Sequence, residues 1–343
     1  MDLSPRKKII LSEIVKAHIA NGEPISSKRL CELTNLGLSS ATIRNEMSEL
    51  CDMGYIEQPH TSAGRIPTAM GYRLYVSGLL GSDTISTPMK QAIDHIIMRV
   101  SEDPENITAL AGQALSDLTG FLSVSMTIPG DSAFIRRVEL LPMGRRTVML
   151  LLITSDGIAR SRICRTGENI SGEMVNAFDT LISTDVVGHK LSEFTNAFVQ
   201  TVAAKSGQYG ISLLPVFSAL FEMIENVCRL ELDVKGESNI YSFYSKEKDA
   251  RRIVDYISHG DGIRSILSNI SDPISVVFGD DIGIEALKPS SMVVAKFGGE
   301  NRIGRIGVIG PTRMSYEDII PSIGYFAKQL SKAIEQSISD LDD

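Results

Sequence analysis

Apolar residues at positions 10, 11, 14, 15 and 19 fall three and four apart, which predicts a first helix from Pro5 to Asn21, ended by Gly22. A second helix follows, capped by Ser26, burying Leu30 and Leu33 and stopping near Asn35. Asn35-Leu36-Gly37-Leu38 reads as a turn into a third helix, capped by Ser39 or Ser40 and ended by Gly54. On a helical wheel Ile43, Met47 and Leu50 share one face, while Ala41, Asn45 and Ser48 lie opposite, flanked by Thr42 and Arg44. Tyr55-Ile56-Glu57-Gln58 then reads as a strand, Pro59 through Gly64 as a turn-rich tip, and Arg65-Ile66-Pro67 as the return. A helix-turn-helix followed at once by a hairpin is the order in which a winged helix-turn-helix presents itself to a DNA duplex.

Tyr72, Leu74, Tyr75 and Leu79 fit a further helix, and Gly78, Gly81, Ser82, Asp83 and Pro88 a linker. Residues from Met89 to about Leu118 are helical in pattern. Four β-like runs follow, Phe121–Ile128, Phe134–Leu141, Thr147–Thr154 and Ile158–Cys164, separated by short Gly-containing turns, which predicts an antiparallel sheet. Ile170–Ile182, Leu191–Ala204 and Leu213–Leu232 then read as three successive helices. Strand signals resume at Ile274–Phe278, Met292–Phe297 and Ile303–Ile309, and a last helix is expected from about Tyr316 to Leu341. A sheet interrupted by a helical block and then resumed is the trace of an inserted domain. The expected organisation is a reader over residues 1–77, a linker over 78–88, a sheet domain in two parts over 89–165 and 237–343, and an insert over 166–236.

Composition changes this picture little. The longest apolar run, Val148–Ile153, is far short of the roughly 18 residues of a membrane span, and no signal-peptide pattern opens the chain, so a cytoplasmic, membrane-free protein is expected. Cys31, Cys51, Cys164 and Cys228 show no paired spacing and read as small buried thiols. The net charge of −8 argues mildly against nucleic acid, but it is uneven: residues 1–80 sum to +1 and the remainder to −9. A near-neutral reader on an acidic body is compatible with DNA binding, because local charge attracts phosphate.

The candidate chemistry is therefore recognition. Arg44 can fork to guanine and Asn45 to adenine, with Ser39, Ser40, Thr42 and Ser48 on or beside the same face. Lys28 and Arg29 open the helix expected to cross the backbone, and His60, Thr61, Ser62 and Arg65 give the wing its donors. A solvated helix face carries one Arg and one Asn often enough; the flanking helix-turn and hairpin are what favour recognition. The stripe Leu213, Val216, Phe217, Leu220, Phe221 and Ile224 fits a dimer contact and a domain core equally well. Gly298-Gly299, Gly304, Gly307 and Gly310 match no nucleotide loop and read as hairpin turns; Asp280 and Asp281 read as a solvated turn in preference to a cation site. The histidines are scattered, with no catalytic or metal-ligand spacing, so neither an enzyme nor a metal or cofactor is expected.

Gly22-Glu23-Pro24, Ser39 to Met47, Gln58 to Thr68 and Gly71-Tyr72-Arg73 resemble the HrcA heat-inducible transcription repressors of bacteria, as does Gly304 to Met314 near the other end. The chain departs from the family where Ser26 and Ala69-Met70 stand. The resemblance implies an α+β multidomain protein: a winged-helix reader, a GAF-like sheet domain and a dimerising domain inserted into it. It implies a homodimer that binds an inverted-repeat operator in double-stranded DNA, represses chaperone operons and is kept active by the chaperonin. A ligand-sensing regulator whose GAF-like domain binds a small molecule is the alternative. A hydrolase with a winged-helix accessory module would need a constellation the sequence lacks.

Overall fold

The computed structural model describes residues 3–34, 37–60, 63–80, 84–103, 106–229, 231–244 and 247–339. Residues Asn35 and Leu36 of the expected turn, Thr61 and Ser62 of the expected wing, 81–83 of the expected linker and the expected helix end at Leu341 lie outside them.

The N-terminal unit holds α1 (Pro5–Asn21), α2 (Ser27–Leu33), α3 (Ser40–Asp52), the short strands β1 (Ile56–Glu57) and β2 (Ile66–Pro67), and α4 (Ala69–Ser77). Its helices start where hydroxyl caps allow: Ser4, Ser26, Ser39 and Thr68 each accept a hydrogen bond from a backbone N–H in the first turn. Ile10, Leu11, Ile14 and Val15 of α1 pack with Leu30, Ile43, Met47 and Leu50. Leu33, expected in this core, is instead exposed, because α2 ends at that residue.

Helices α5 (Thr87–Val100) and α6 (Ile107–Thr119) lead into the body. Strand β3 (Leu122–Pro129) is followed by β4 (Ile135–Pro142), β5 (Thr147–Thr154) and β6 (Ala159–Arg165), then by α7 (Gly172–Asp185), α8 (Asn196–Lys205) and α9 (Gly210–Cys228). The chain continues through β7 (Glu231–Lys235), α10 (Glu237–Ile240), α11 (Glu247–His259), α12 (Asp261–Ser268), β8 (Ile274–Phe278), α13 (Gly279–Ile282), β9 (Ser290–Gly298), β10 (Arg302–Pro311) and α14 (Tyr316–Ser339).

The four consecutive strands expected to share one sheet do not. β3 is an interior strand, between β7 and β10, in an antiparallel sheet of order β7-β3-β10-β9-β8, whereas β4, β5 and β6 form a separate sheet of their own. The split follows from burial. β3 is covered on both faces: Leu122, Val124 and Met126 pack toward Ile253, Ile257, Ile263 and Leu267 of α11 and α12, while Ser123 and Ser125 face α6. β5 alternates between fully and partly buried positions, and its buried side packs on α7 and α9. The glycine-rich segment is the β9–β10 hairpin; a Cβ on Gly307 would stand 2.2 Å from Val293 O, so close strand contact accounts for the glycine there.

Leu213, Val216, Phe217, Leu220 and Ile224 are at most 2% exposed, inside the core shared by α7, α9 and the β4–β6 sheet; Phe221 is partly exposed. Phe178 and Phe217 pack there with ring centroids 5.7 Å apart. Most of the stripe is thus this unit's own interior, and Ile211 and Leu214 are the large apolar residues α9 exposes. Among the described residues one helical stretch, residues 207–228, is long and apolar enough to cross a membrane once interspersed polar residues are allowed; half of its most apolar window is buried in the protein, as in a core helix. Of the four cysteines only Cys164 is buried; Cys31 and Cys51 are half-buried and Cys228 is exposed.

Candidate nucleic-acid interface

Helix α3 is held from behind. Besides Ile43, Met47 and Leu50, its inward face carries Glu46, 4% exposed. That carboxylate contacts Arg6 and lies 3.1 Å from Lys7 Nζ, which also reaches Glu49 at 2.8 Å. Hydrogen bonds to Glu49 and Glu46 hold the Lys7 ammonium above its ordinary pKa. The sequence reading missed Glu46; its position one residue before Met47 on the apolar side of the wheel was the available signal.

The outward face is free for other work. Arg44, Asn45 and Ser48 are exposed, and their side chains make no hydrogen bond or ion pair among the described residues. Thr42 is half-buried, and its hydroxyl lies 3.0 Å from that of Ser39 at the helix cap. Ser40 does not join the outward face: its Oγ is 3.3 Å from Ser27 Oγ, which links α2 to α3. Lys28 and Arg29 are both exposed on α2, but Arg29 donates to Glu32 at 2.9 Å, leaving Lys28 the less encumbered cation.

The hairpin is stitched to the helices. Glu57 pairs with Ile66, and Ile25, just ahead of α2, exchanges hydrogen bonds of 3.0 and 2.9 Å with Arg65. A Cβ on Gly64 would stand 2.3 Å from Ile25 O, so this approach requires glycine. Gln58 Nε2 donates to Ala63 O at 3.0 Å across the tip, and His60 is exposed. Arg65 is half-buried, with its Nε enclosed and unpartnered.

Below this surface the N-terminal unit is seated on the body. His18 Nδ1 is 2.7 Å from the Tyr72 hydroxyl, and the Tyr72 ring lies 6.5 Å from Phe278 and 6.4 Å from Tyr316. Arg73 donates through Nε to Asp281 at 3.0 Å, with a second contact from Nη2, and lies over the Phe278 ring. Asp281, read as part of a solvated turn, is therefore an ion-pair partner. Lys16 reaches Glu317 at 2.9 Å. No cluster of three or more metal-ligating side chains occurs among the described residues.

Burial, reinforced by the Arg313 cation, pushes the His18 imidazole below its ordinary pKa. The unfolded chain then takes up a proton first as pH falls, so His18 contributes stability above about pH 6.5 that is lost on acidification. The midpoint of thermal unfolding is expected to drop as pH falls below about 6.5, and His18→Gln is expected to flatten that drop. Equal acid sensitivity in both proteins, followed by calorimetry, would remove His18 as a cause.

The model of the HrcA protein C terminal domain matches residues 105–320. A heat-inducible transcription repressor HrcA of Laribacter hongkongensis is 31% identical, over 99% of this chain and 98% of the relative. One from Acetivibrio thermocellus is 28% identical, over 98% of each. A crystal structure of a protein described as hypothetical superposes with a TM-score of 0.65 at 25% identity, covering 98% of this chain and 100% of the other. With the family model spanning more than half of the chain and full-length relatives agreeing with it, the chain belongs to the HrcA family of heat-inducible transcription repressors.

Proposed function

We propose that residues 1–77 are a winged-helix DNA reader, with α3 in the major groove and α2 and the hairpin on the phosphates. The observation that carries this reading is the two-sided character of α3, locked into its core through Ile43, Glu46, Met47 and Leu50 while Arg44, Asn45 and Ser48 stand exposed and unpaired. Directional, unoccupied side chains on an immobilised helix are what reading base edges requires. Lys28, Ser39, Thr42, His60 and Arg65 are placed for phosphate, as are Thr61 and Ser62 by their sequence position. Arg29 joins them once released from Glu32.

In this reading the protein is a homodimer, since two readers related by a two-fold axis match an inverted-repeat operator. We assign the five-stranded sheet with α5, α6 and α10 to α14 to the GAF-like body. The insert we place at about residues 130–229, so that it includes β4–β6, because that sheet shares its core with α7 and α9. Family membership supports repression of chaperone operons and support by the chaperonin as parts of this reading. Both faces of the five-stranded sheet are filled by the chain's own side chains, which favours a protein partner over a small ligand as the signal.

Footprinting on DNA upstream of chaperone genes, with and without chaperonin, tests the reading. Protection of an inverted repeat, strengthened by chaperonin, is the expected result. If about six phosphates are neutralised, log affinity falls against log salt with a slope near −5. Equal affinity for scrambled DNA would refute operator recognition.

A further inference from the structure

The stretches that carry the family signature at the two ends of the sequence meet at the seat between reader and body. A Cβ on Gly22 would stand 2.2 Å from Arg313 Nη1, so glycine lets the guanidinium lie against the C-terminal end of α1, where exposed carbonyls favour a cation. Tyr72, 3% exposed, completes a triangle of rings with Phe278 and Tyr316, which lie 6.1 Å from each other. Arg73 forks onto Asp281. Gly22, Tyr72 and Arg73 belong to the reader, and Asp281, Arg313 and Tyr316 to the body.

These contacts are directional. A forked guanidinium–carboxylate pair and an edge-on ring packing each define an orientation, which a greasy contact of equal area does not. Moving a half-site by one base pair displaces it by about 3.4 Å and rotates it by about 35° around the duplex. A reader on a slack tether would follow such a change; a reader clamped from several sides cannot.

We infer that this joint fixes the direction in which each reader faces and thereby selects the spacing between half-sites that the dimer accepts, with Tyr72 and Arg73 acting as positioning residues. The inference rests on the reading of the chain as a dimeric reader of inverted repeats. Arg73 and Asp281 are each about two-fifths exposed, so removing one loosens the joint without leaving a buried charge.

The test uses the full-length protein to select duplexes from a pool of random-sequence DNA. The wild type is expected to recover an inverted repeat at one spacing. Arg73→Gln and Asp281→Asn are expected to recover the same half-site at widened spacings, and the exchange Arg73→Asp with Asp281→Arg to narrow them again. A single, unchanged spacing in the two single variants overturns the inference, as does an altered half-site or an exchange that fails to narrow the distribution. The underlying reading fails separately, in the wild-type pool alone, if that pool yields no inverted repeat.

Discussion

Replacing Arg44 and Asn45 together by alanine is expected to weaken binding to the inverted repeat by at least about thirtyfold, since each bidentate base contact discriminates by roughly 1–3 kcal/mol. Binding to scrambled DNA should barely change, because phosphate contacts lie elsewhere. The fold should survive: both side chains are exposed and make no hydrogen bond or ion pair among the described residues that alanine would break. Lys28→Ala is the contrasting variant. It should weaken specific and non-specific binding alike and reduce the salt slope by about 1. Mobility shifts on operator and scrambled duplexes at several salt concentrations separate the two. An unchanged operator preference in the double variant would remove α3 as the reading helix.

Phe217→Ala is expected to cost about 3–5 kcal/mol, the usual penalty for emptying a large aromatic site in a packed core. Phe217 is 1% exposed and stacks against Phe178 under the β4–β6 sheet. Leu214→Glu, one helical turn away but 54% exposed, should leave thermal unfolding in place and shift a dimer toward monomer in sedimentation. This pair separates the two readings the apolar stripe allows. A Phe217 variant that melts normally yet falls apart into monomers would make the stripe a contact surface instead of an interior.

The local elements were legible wherever one face of an element met water. α1 and α3 follow their periodicity to within a residue or two, and β4, β5 and β6 follow theirs because hairpin neighbours are set by short turns. What escaped was decided by distant partners. The alternating serines of β3 mimic a solvated face, yet Ser123 and Ser125 are fully buried, because small side chains let α6 approach the sheet. One partner of β3 across the ladder is β10, nearly two hundred residues on, a pairing no local pattern encodes. β7 is short and charged, and α11 and α12 were not read at all, although Ala250, Ile253 and Ile257 repeat at helical spacing. At the proposed site the exposed residues were readable; the ties of Glu46, Ser40 and Arg29 were not, because a wheel shows direction and not partners.

The route by which the chain leaves and rejoins the body has a further consequence. β3 ends at Pro129 and β7 begins at Glu231, and the two strands run side by side with Thr127 opposite Glu231. They form an ordinary antiparallel pair whose turn has grown into a folded unit of about a hundred residues. Its two attachment points are as close as the ends of a hairpin loop, so a lineage can acquire, exchange or trim this unit without re-threading the sheet beneath it. The two units can then diverge at different rates while β3 and β7 stay paired within the body's own sheet.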